Sequence, residues 1–298
     1  GSMRLLFIHG INQESFTEQG LLTKWSRILT NTGFDSVKLA AAKPEMAFYG
    51  DILHQLSSGA IAAQSMSASV AELSGTGQAE LEFIQAGLDE IAEERGFSQG
   101  AIDAAARRTA EEFDGAAVVI PMSTRLGRFA VGVLRLLDEI ASPLRDTALS
   151  SLKQAYAYLN KPGVRPAIDD RVRPRIGTGE LVIVCHSLGT IVAFHLLGEL
   201  AKGGVQVNVP LLITMGSPLG GEAVKKYVDL PHKMPANVQR WENYFDPGDP
   251  VALGKRLSME FAQGIIDVAD INNQTGNAHS IEGYLNQKSI QDSLARAI

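Results

Sequence analysis

Apolar and polar positions along this chain fall into three textures. The first opens with Leu5-Leu6-Phe7-Ile8, a continuous apolar run stopped at once by His9-Gly10. A run of that length ending on glycine reads as a strand buried on both faces. Leu21, Leu22, Trp25, Ile28 and Leu29 then recur at helical spacing, with Asn31 and Gly33 as the stop. Met46-Ala47-Phe48-Tyr49 reads as a second, weaker strand ended by Gly50-Asp51.

The second texture runs from Ile52 to Ile176 and is rich in Ala, Ser, Glu and Gln. Leu81, Ile84, Leu88 and Ile91 form one helical stripe, and Val131, Leu134, Leu137 and Ala141 another. Ser65 to Gln78 is small and polar and reads as a mobile loop. Val118-Val119-Ile120 reads as a short strand or as buried coil. The third texture begins after Gly179 and alternates regularly. Strands are expected at 181–184, 209–215, 241–245 and 264–268, with helices at 191–200, 222–228, 257–262 and 289–297. Strand and helix in strict alternation with short connections is the pattern of a parallel sheet covered on both sides. The expected class is therefore α/β, a mainly parallel sheet with helices on both faces. A large helical cap (51–176) is inserted into a core made of 3–50 and 177–298. No internal repeat is present.

Composition narrows the function classes. With 45% apolar and 20% charged residues, the 298-residue chain is not a disordered one. The net charge of −6 argues against nucleic acid as partner, because neutralising phosphates needs a basic surface. Between Asp51 and Arg175 there are 13 basic and 17 acidic residues, so the insertion carries no positive field. Its Arg165, Arg171, Arg173 and Arg175 read as a solvated face diluted by Asp169 and Asp170. No run of 18 apolar residues marks a membrane span. Gly1-Ser2-Met3 reads as a cleavage remnant before the native start, and the short apolar run after it is no secretory signal. Cys185 is the one cysteine, which excludes an internal disulfide and fits a reducing, cytoplasmic setting. There is no H-E-x-x-H, no paired C-x-x-C and no G-x-x-x-x-G-K-[ST], so neither a metal nor a cofactor is expected.

The chemistry-bearing stretch is Leu181-Val182-Ile183-Val184-Cys185-His186-Ser187-Leu188-Gly189-Thr190. An apolar strand runs through Cys-His-Ser-Leu-Gly into a helix. This is the setting of a nucleophile elbow, a sharp strand-to-helix turn that lifts one side chain above the sheet edge. A serine there is also a common helix N-cap. With Ser187 at the helix N-terminus, unpaired N–H groups and the helix dipole favour a developing negative charge.

At these residues the chain resembles the α/β-hydrolase superfamily, and within it the bacterial lipase/serine-esterase branch. The resemblance covers roughly 4–50 and 177–298 and leaves the insertion unassigned. Cys185 departs from it, standing two residues before the serine where the family usually has glycine. The family's chain order of nucleophile, acid and histidine implies that the partners of Ser187 follow it. Of the six histidines, His279 sits in the implied place, in Gly276-Asn277-Ala278-His279-Ser280 after the last strand, and its continuation to Tyr284-Leu285 resembles the family's stretch. Asp246-Pro247-Gly248-Asp249-Pro250-Val251 is similar to the family's Asp-x-x-Asp-Pro-Val, whose acid is the second aspartate. That implies Asp249, with Asp246 as the alternative.

The backbone N–H of Leu188 is one expected oxyanion donor. The resemblance of His9-Gly10 to the family's oxyanion loop implies the N–H of Ile11 as the other. Gly10, His186, Ser217 and Pro218 are the expected pocket wall. Serine at the elbow disfavours the family's dehalogenase and epoxide-hydrolase branches. The resemblance thus implies acyl transfer through an acyl-enzyme, with a small or lipid-like carboxylic ester as substrate. Thioesterase, phospholipase and amidase chemistry would use the same triad, and a non-catalytic scaffold could keep the same fold.

Overall fold

The computed structural model describes residues 3–56, 65–113 and 125–298. The Val118–Ile120 segment lies outside the described residues. Among the described residues, seven parallel strands form the sheet: β1 (Arg4–Ile8), β2 (Glu45–Ala47), β3 (Gly179–His186), β4 (Val207–Asn208), β5 (Leu212–Met215), β6 (Trp241–Tyr244) and β7 (Ile266–Val268). Their order is β2-β1-β3-β5-β6-β7, with β4 pairing the start of β3. The chain is an α/β protein with a mostly parallel sheet flanked by helices; of the expected 209–215 strand, β5 takes residues 212–215, and β4 lies just before it.

Register sets where the loops meet. In β1 against β3, Arg4 pairs with Leu181 and Ile8 with Cys185. His186 pairs with Met215, and Met215 in turn with Tyr244. The carboxyl ends of β1, β3, β5 and β6 therefore lie in one row, the edge at which open parallel sheets bind ligands.

Alternation along the strands builds two cores. Leu5, Phe7, Val182, Val184, Ile213 and Tyr244 face one side. There α1 (Glu18–Asn31) packs with Leu21, Trp25 and Leu29, beside the short α2 (Ser36–Ala41). Leu6, Ile8, Leu181, Ile183, Cys185 and Trp241 face the other side. On that side lie the helices of the insertion: α3 (Gly50–Leu56), α4 (Met66–Ser74), α5 (Gln78–Arg95), α6 (Gln99–Glu112), α7 (Arg125–Ile140), α8 (Ser142–Asn160) and α9 (Val164–Ile176), of which α9 packs against β1 and β2. The helix after the elbow is α10 (Leu188–Lys202), followed by the short α11 (Glu222–Lys225) and α12 (Leu257–Glu260). The chain closes with α13 (Ile281–Leu285) and α14 (Lys288–Ala297), which cover the α1 side.

The stripes read from the insertion pack inward. Leu81, Ile84, Leu88, Ile91, Val131, Leu134 and Leu137 share one continuous apolar cluster with Leu6 and Ile8 of the sheet. The expected mobile loop at 65–78 is instead largely helix. Ser65 caps α4 by accepting from the Ala68 N–H, and Met66, Val70 and Leu73 put a buried stripe on it at spacings of four and three. Small polar composition concealed that stripe. The basic residues of α9 are ion-paired rather than free: Arg171 with Asp51, Arg173 with Asp170 and Glu199, and Arg175 with Glu18 and Glu45. Where α9 ends, Arg4 donates to the carbonyls of Arg175, Ile176 and Thr178, which ties the return of the insertion to β1. No helix among the described residues is long and apolar enough to cross a membrane.

A shared core makes a stability prediction. Leu88 of α5 is fully buried in the apolar cluster that the insertion shares with the sheet. Leu88→Ala should cost roughly 2–5 kcal/mol. Urea unfolding followed by circular dichroism and by tryptophan fluorescence should show coincident single transitions in both proteins. A separate early transition in the variant would show that the insertion melts independently of the sheet.

Candidate active site

Ser187 sits at φ 56, ψ −127, a conformation that non-glycine residues rarely adopt. The surroundings hold it there. Its N–H donates to the Met215 carbonyl at 3.0 Å, and its carbonyl accepts from the Thr190 hydroxyl at 2.7 Å. Two glycines let β1 approach the turn. A Cβ on Gly10 would stand 2.5 Å from Ser187 Cβ, and one on Gly189 would stand 2.4 Å from the His9 carbonyl oxygen. Cys185, by contrast, points its thiol into the insertion-side core, donating to the Ile213 carbonyl at 3.4 Å. That is why cysteine is tolerated there, and burial pushes its thiol pKa up, away from reactivity.

The side chain of Ser187 does not cap α10. Its Oγ is buried and has no hydrogen-bond partner, and the same holds for His279 Nε2. An unpaired buried polar group costs about 1–3 kcal/mol, so two in one site point to a function for them.

The rest of His279 is held firmly. Its Nδ1 lies 2.8 Å from Asp249 Oδ2. An ionised carboxylate only accepts, so Nδ1 carries the proton and Nε2 offers a lone pair. Asp249 is itself buried, taking the Tyr284 hydroxyl on Oδ2 at 2.7 Å and the Val251 N–H on Oδ1 at 2.8 Å. Burial, then the charge of Asp249, raises the Tyr284 pKa well above its ordinary value, so that hydroxyl keeps its proton. Gly216, at φ +56, opens the space for this pair. A Cβ there would be 2.7 Å from Asp249 Oδ2 and 2.9 Å from His279 Nδ1. Asp246, the alternative acid, instead accepts backbone N–H groups from Gly248 and Asn273, each at 2.7 Å.

Two more histidines sit beneath. His186 stacks on His279 with ring centroids 4.6 Å apart, and its Nε2–H donates to the His279 carbonyl at 2.7 Å. Burial, then the neighbouring His279, lowers its pKa well below the ordinary value and keeps it neutral. His9 accepts from the Tyr49 N–H on Nε2 at 3.0 Å, so its proton is on Nδ1 and is donated to the Gly10 carbonyl at 2.8 Å. Burial lowers its pKa to about 4. In a trans peptide the C=O and N–H point to opposite sides. Holding the Gly10 carbonyl therefore turns the Ile11 N–H the other way. Neither that N–H nor the Leu188 N–H meets a protein acceptor among the described residues.

Of the expected pocket wall, Gly10 and His186 line a cavity of about 180 Å³ together with Ile11, Asn12, Asn277 and His279. Pro218 lines an apolar slot of about 30 Å³ against Gly87 and Leu152 of the insertion. Ser217 lines neither of these two cavities. It is buried, its hydroxyl lies 2.7 Å from the Thr190 hydroxyl, and it accepts the Leu219 N–H at 3.2 Å, so its chemistry is spent on the turn. Tyr284, His9 and Gly216 carry roles that the sequence reading did not assign. Gly216, directly before the expected pocket-wall residues Ser217 and Pro218, was the available signal. No group of three or more His, Cys, Asp or Glu suited to a metal occurs among the described residues.

Compared with protein-family models and with curated proteins, the chain has no match. The case for its chemistry therefore stands on the geometry.

The buried neutral His9 gives a pH prediction. Between pH 6.5 and about 4 the unfolded chain binds a proton at His9 and the folded chain does not. Stability should fall as pH drops through that window, by up to about 3 kcal/mol from this residue. His186 acts in the same direction. Urea unfolding of wild type and His9→Gln at pH 7.5 and 4.5 checks it. The difference between the two proteins should narrow at the lower pH, and a constant difference would refute the assignment.

Proposed function

We propose that this chain is a serine hydrolase of the α/β-hydrolase kind that cleaves a carboxylic ester through an acyl-enzyme. The observation that carries the reading is the pair of buried, unpartnered atoms, Ser187 Oγ and His279 Nε2, with Asp249 behind the imidazole at 2.8 Å. A scaffold protein would gain stability by losing them, whereas a nucleophile and its base must keep them free for substrate.

The residues then act as follows. Ser187 Oγ attacks the ester carbonyl carbon while His279 Nε2 takes its proton. Asp249 keeps the Nδ1–H tautomer and stabilises the imidazolium without itself taking the proton. The N–H groups of Leu188 and Ile11 receive the oxyanion, helped by the positive end of α10. His279 next protonates the leaving alcohol. Water then attacks the acyl-enzyme by the same proton route, which releases the acid and restores Ser187. Tyr284 shares the charge of Asp249, and Gly10, Gly189 and Gly216 keep the reacting groups at close range.

The helical insertion supplies part of the wall, with Leu152 and Gly87 opposite Pro218 and Val251. It is the lid-side element of this reading, and the stripes on its helices are occupied by the core rather than by an acyl site. Thioesters and amides remain within reach of the same groups, and their chemistry differs only in the leaving atom.

Hydrolysis of p-nitrophenyl esters from acetyl to palmitoyl tests the reading. Ser187→Ala should lower kcat by roughly 10⁴-fold or more, and Asp249→Asn by roughly 10⁴-fold through loss of the tautomer. Wild type that neither turns over any of these esters nor labels with a fluorophosphonate at Ser187 would sink the proposal.

A further inference from the structure

We propose that Gln154, a buried side chain of α8 in the helical insertion, is a positioning residue that aims the Ile11 N–H at the oxyanion. The inference rests on the reading of Ser187 as nucleophile and names a part of the machinery outside the strand-edge loops.

Two successive peptide planes, spanning residues 10–12, fix that direction. The plane joining Gly10 to Ile11 is held by the bond from His9 Nδ1–H to the Gly10 carbonyl at 2.8 Å. The plane joining Ile11 to Asn12 is held at both edges. Gln13 Nε2 donates to the Ile11 carbonyl at 2.7 Å, and the Asn12 N–H donates to Gln154 Oε1 at 3.2 Å. Gln154 Nε2 returns a bond to Asn12 Oδ1 at 2.6 Å. A backbone N–H can only donate, which orients the Gln154 amide without ambiguity. With both planes pinned, rotation about the backbone of Ile11 is removed, and its N–H has one direction left. Asn12 itself stands at φ 58, a conformation that needs outside support.

Gln154 is well placed to impose that geometry. Its helix lies in the core shared with the sheet through Ala148, Leu149 and Ala155. The neighbouring Lys153 is buried and bonds Glu80 of α5 at 3.2 Å. Seven residues back, on the same face of α8, the Thr147 hydroxyl accepts from Asn277 Nδ2 at 3.3 Å. Asn277 Oδ1 in turn accepts the His279 N–H at 3.1 Å. One helix face thus touches the loop of the oxyanion donor and the loop of the base. A helix from the insertion sets the spacing between two parts of the reaction that come from opposite ends of the chain.

Gln154→Leu removes both amide bonds at similar volume, and Gln154→Glu keeps an oxygen for the Asn12 N–H. On the best p-nitrophenyl ester, Gln154→Leu should lower kcat roughly 10- to 100-fold with KM within about twofold, the mark of a contact made only in the transition state. Gln154→Glu should fall by less. The fraction of enzyme titrated by a fluorophosphonate after long incubation should stay that of wild type, and the pH profile of kcat/KM should keep its midpoint, since the His279–Asp249 pair is untouched. A merely destabilised protein would lose titratable enzyme instead. If wild type labels and turns over while Gln154→Leu matches its kcat, or if its loss equals the loss of titratable sites, the role of Gln154 is refuted. If wild type itself does not label, the hydrolase reading fails first and this inference with it.

Discussion

Backbone against backbone is the contact on which the site depends. The end of β1 lies so close to the turn after β3 that a single added carbon on Gly10 or Gly189 would fall within 2.5 Å of its neighbour. That approach sets the backbone of Gly10 against the Ser187 side chain and the start of the following helix against the end of β1, with Ser187 at positive φ between them. The parallel register that pairs Ile8 with Cys185 makes it possible. The remaining loops then extend from the same row of strand ends, which is how Gly216, Asp249 and His279 come to converge from three later segments. On the proposed reading, this is electrostatic preorganisation obtained from chain geometry before substrate arrives.

Much of the sheet was legible because buried parallel strands announce themselves as apolar runs. Leu5–Ile8 and Leu181–Val184 carry that mark, and both are central. The elbow was legible because strain demands small neighbours at fixed offsets, and Asp249 and His279 because their loops resemble a known arrangement. What stayed hidden has a physical reason in each case. The α4 helix was obscured by small polar residues that say little about conformation until the burial of Met66, Val70 and Leu73 is known. Tyr284 and His9 serve through a single hydrogen bond or a tautomer, which no spacing reveals. Gln154 lies 142 positions from the loop it holds, in a segment where glutamine is commonplace.

The insertion is part of the core rather than an appendage to it. Apolar stripes at helical spacing can roof a ligand site or close on one another. Packing favours the second, since Leu81, Ile84, Leu88 and Ile91 join the cluster of Leu6 and Ile8. Polar contacts add to this. Arg95 of α5 donates to the Gly248 carbonyl at 2.6 Å, next to Asp249, while Gln154 and Thr147 of α8 reach Asn12 and Asn277. An element inserted between β2 and β3 thereby braces loops on both sides of itself in sequence.

The pairing of β1 with β3 also bears on how the chain reaches this state. Arg4 and Leu181 are neighbours in space and 177 residues apart in sequence, with a mostly helical stretch between them. Helices close short loops and form early, while a parallel ladder across such a span must wait for its partner. During synthesis β1 is therefore an apolar strand without its central neighbour until β3 has been made. Stabilising the early helices shortens the search for that pairing without altering any group in the site. On the proposed reading, the site is a late product of assembly, completed by the strand that leads into Ser187.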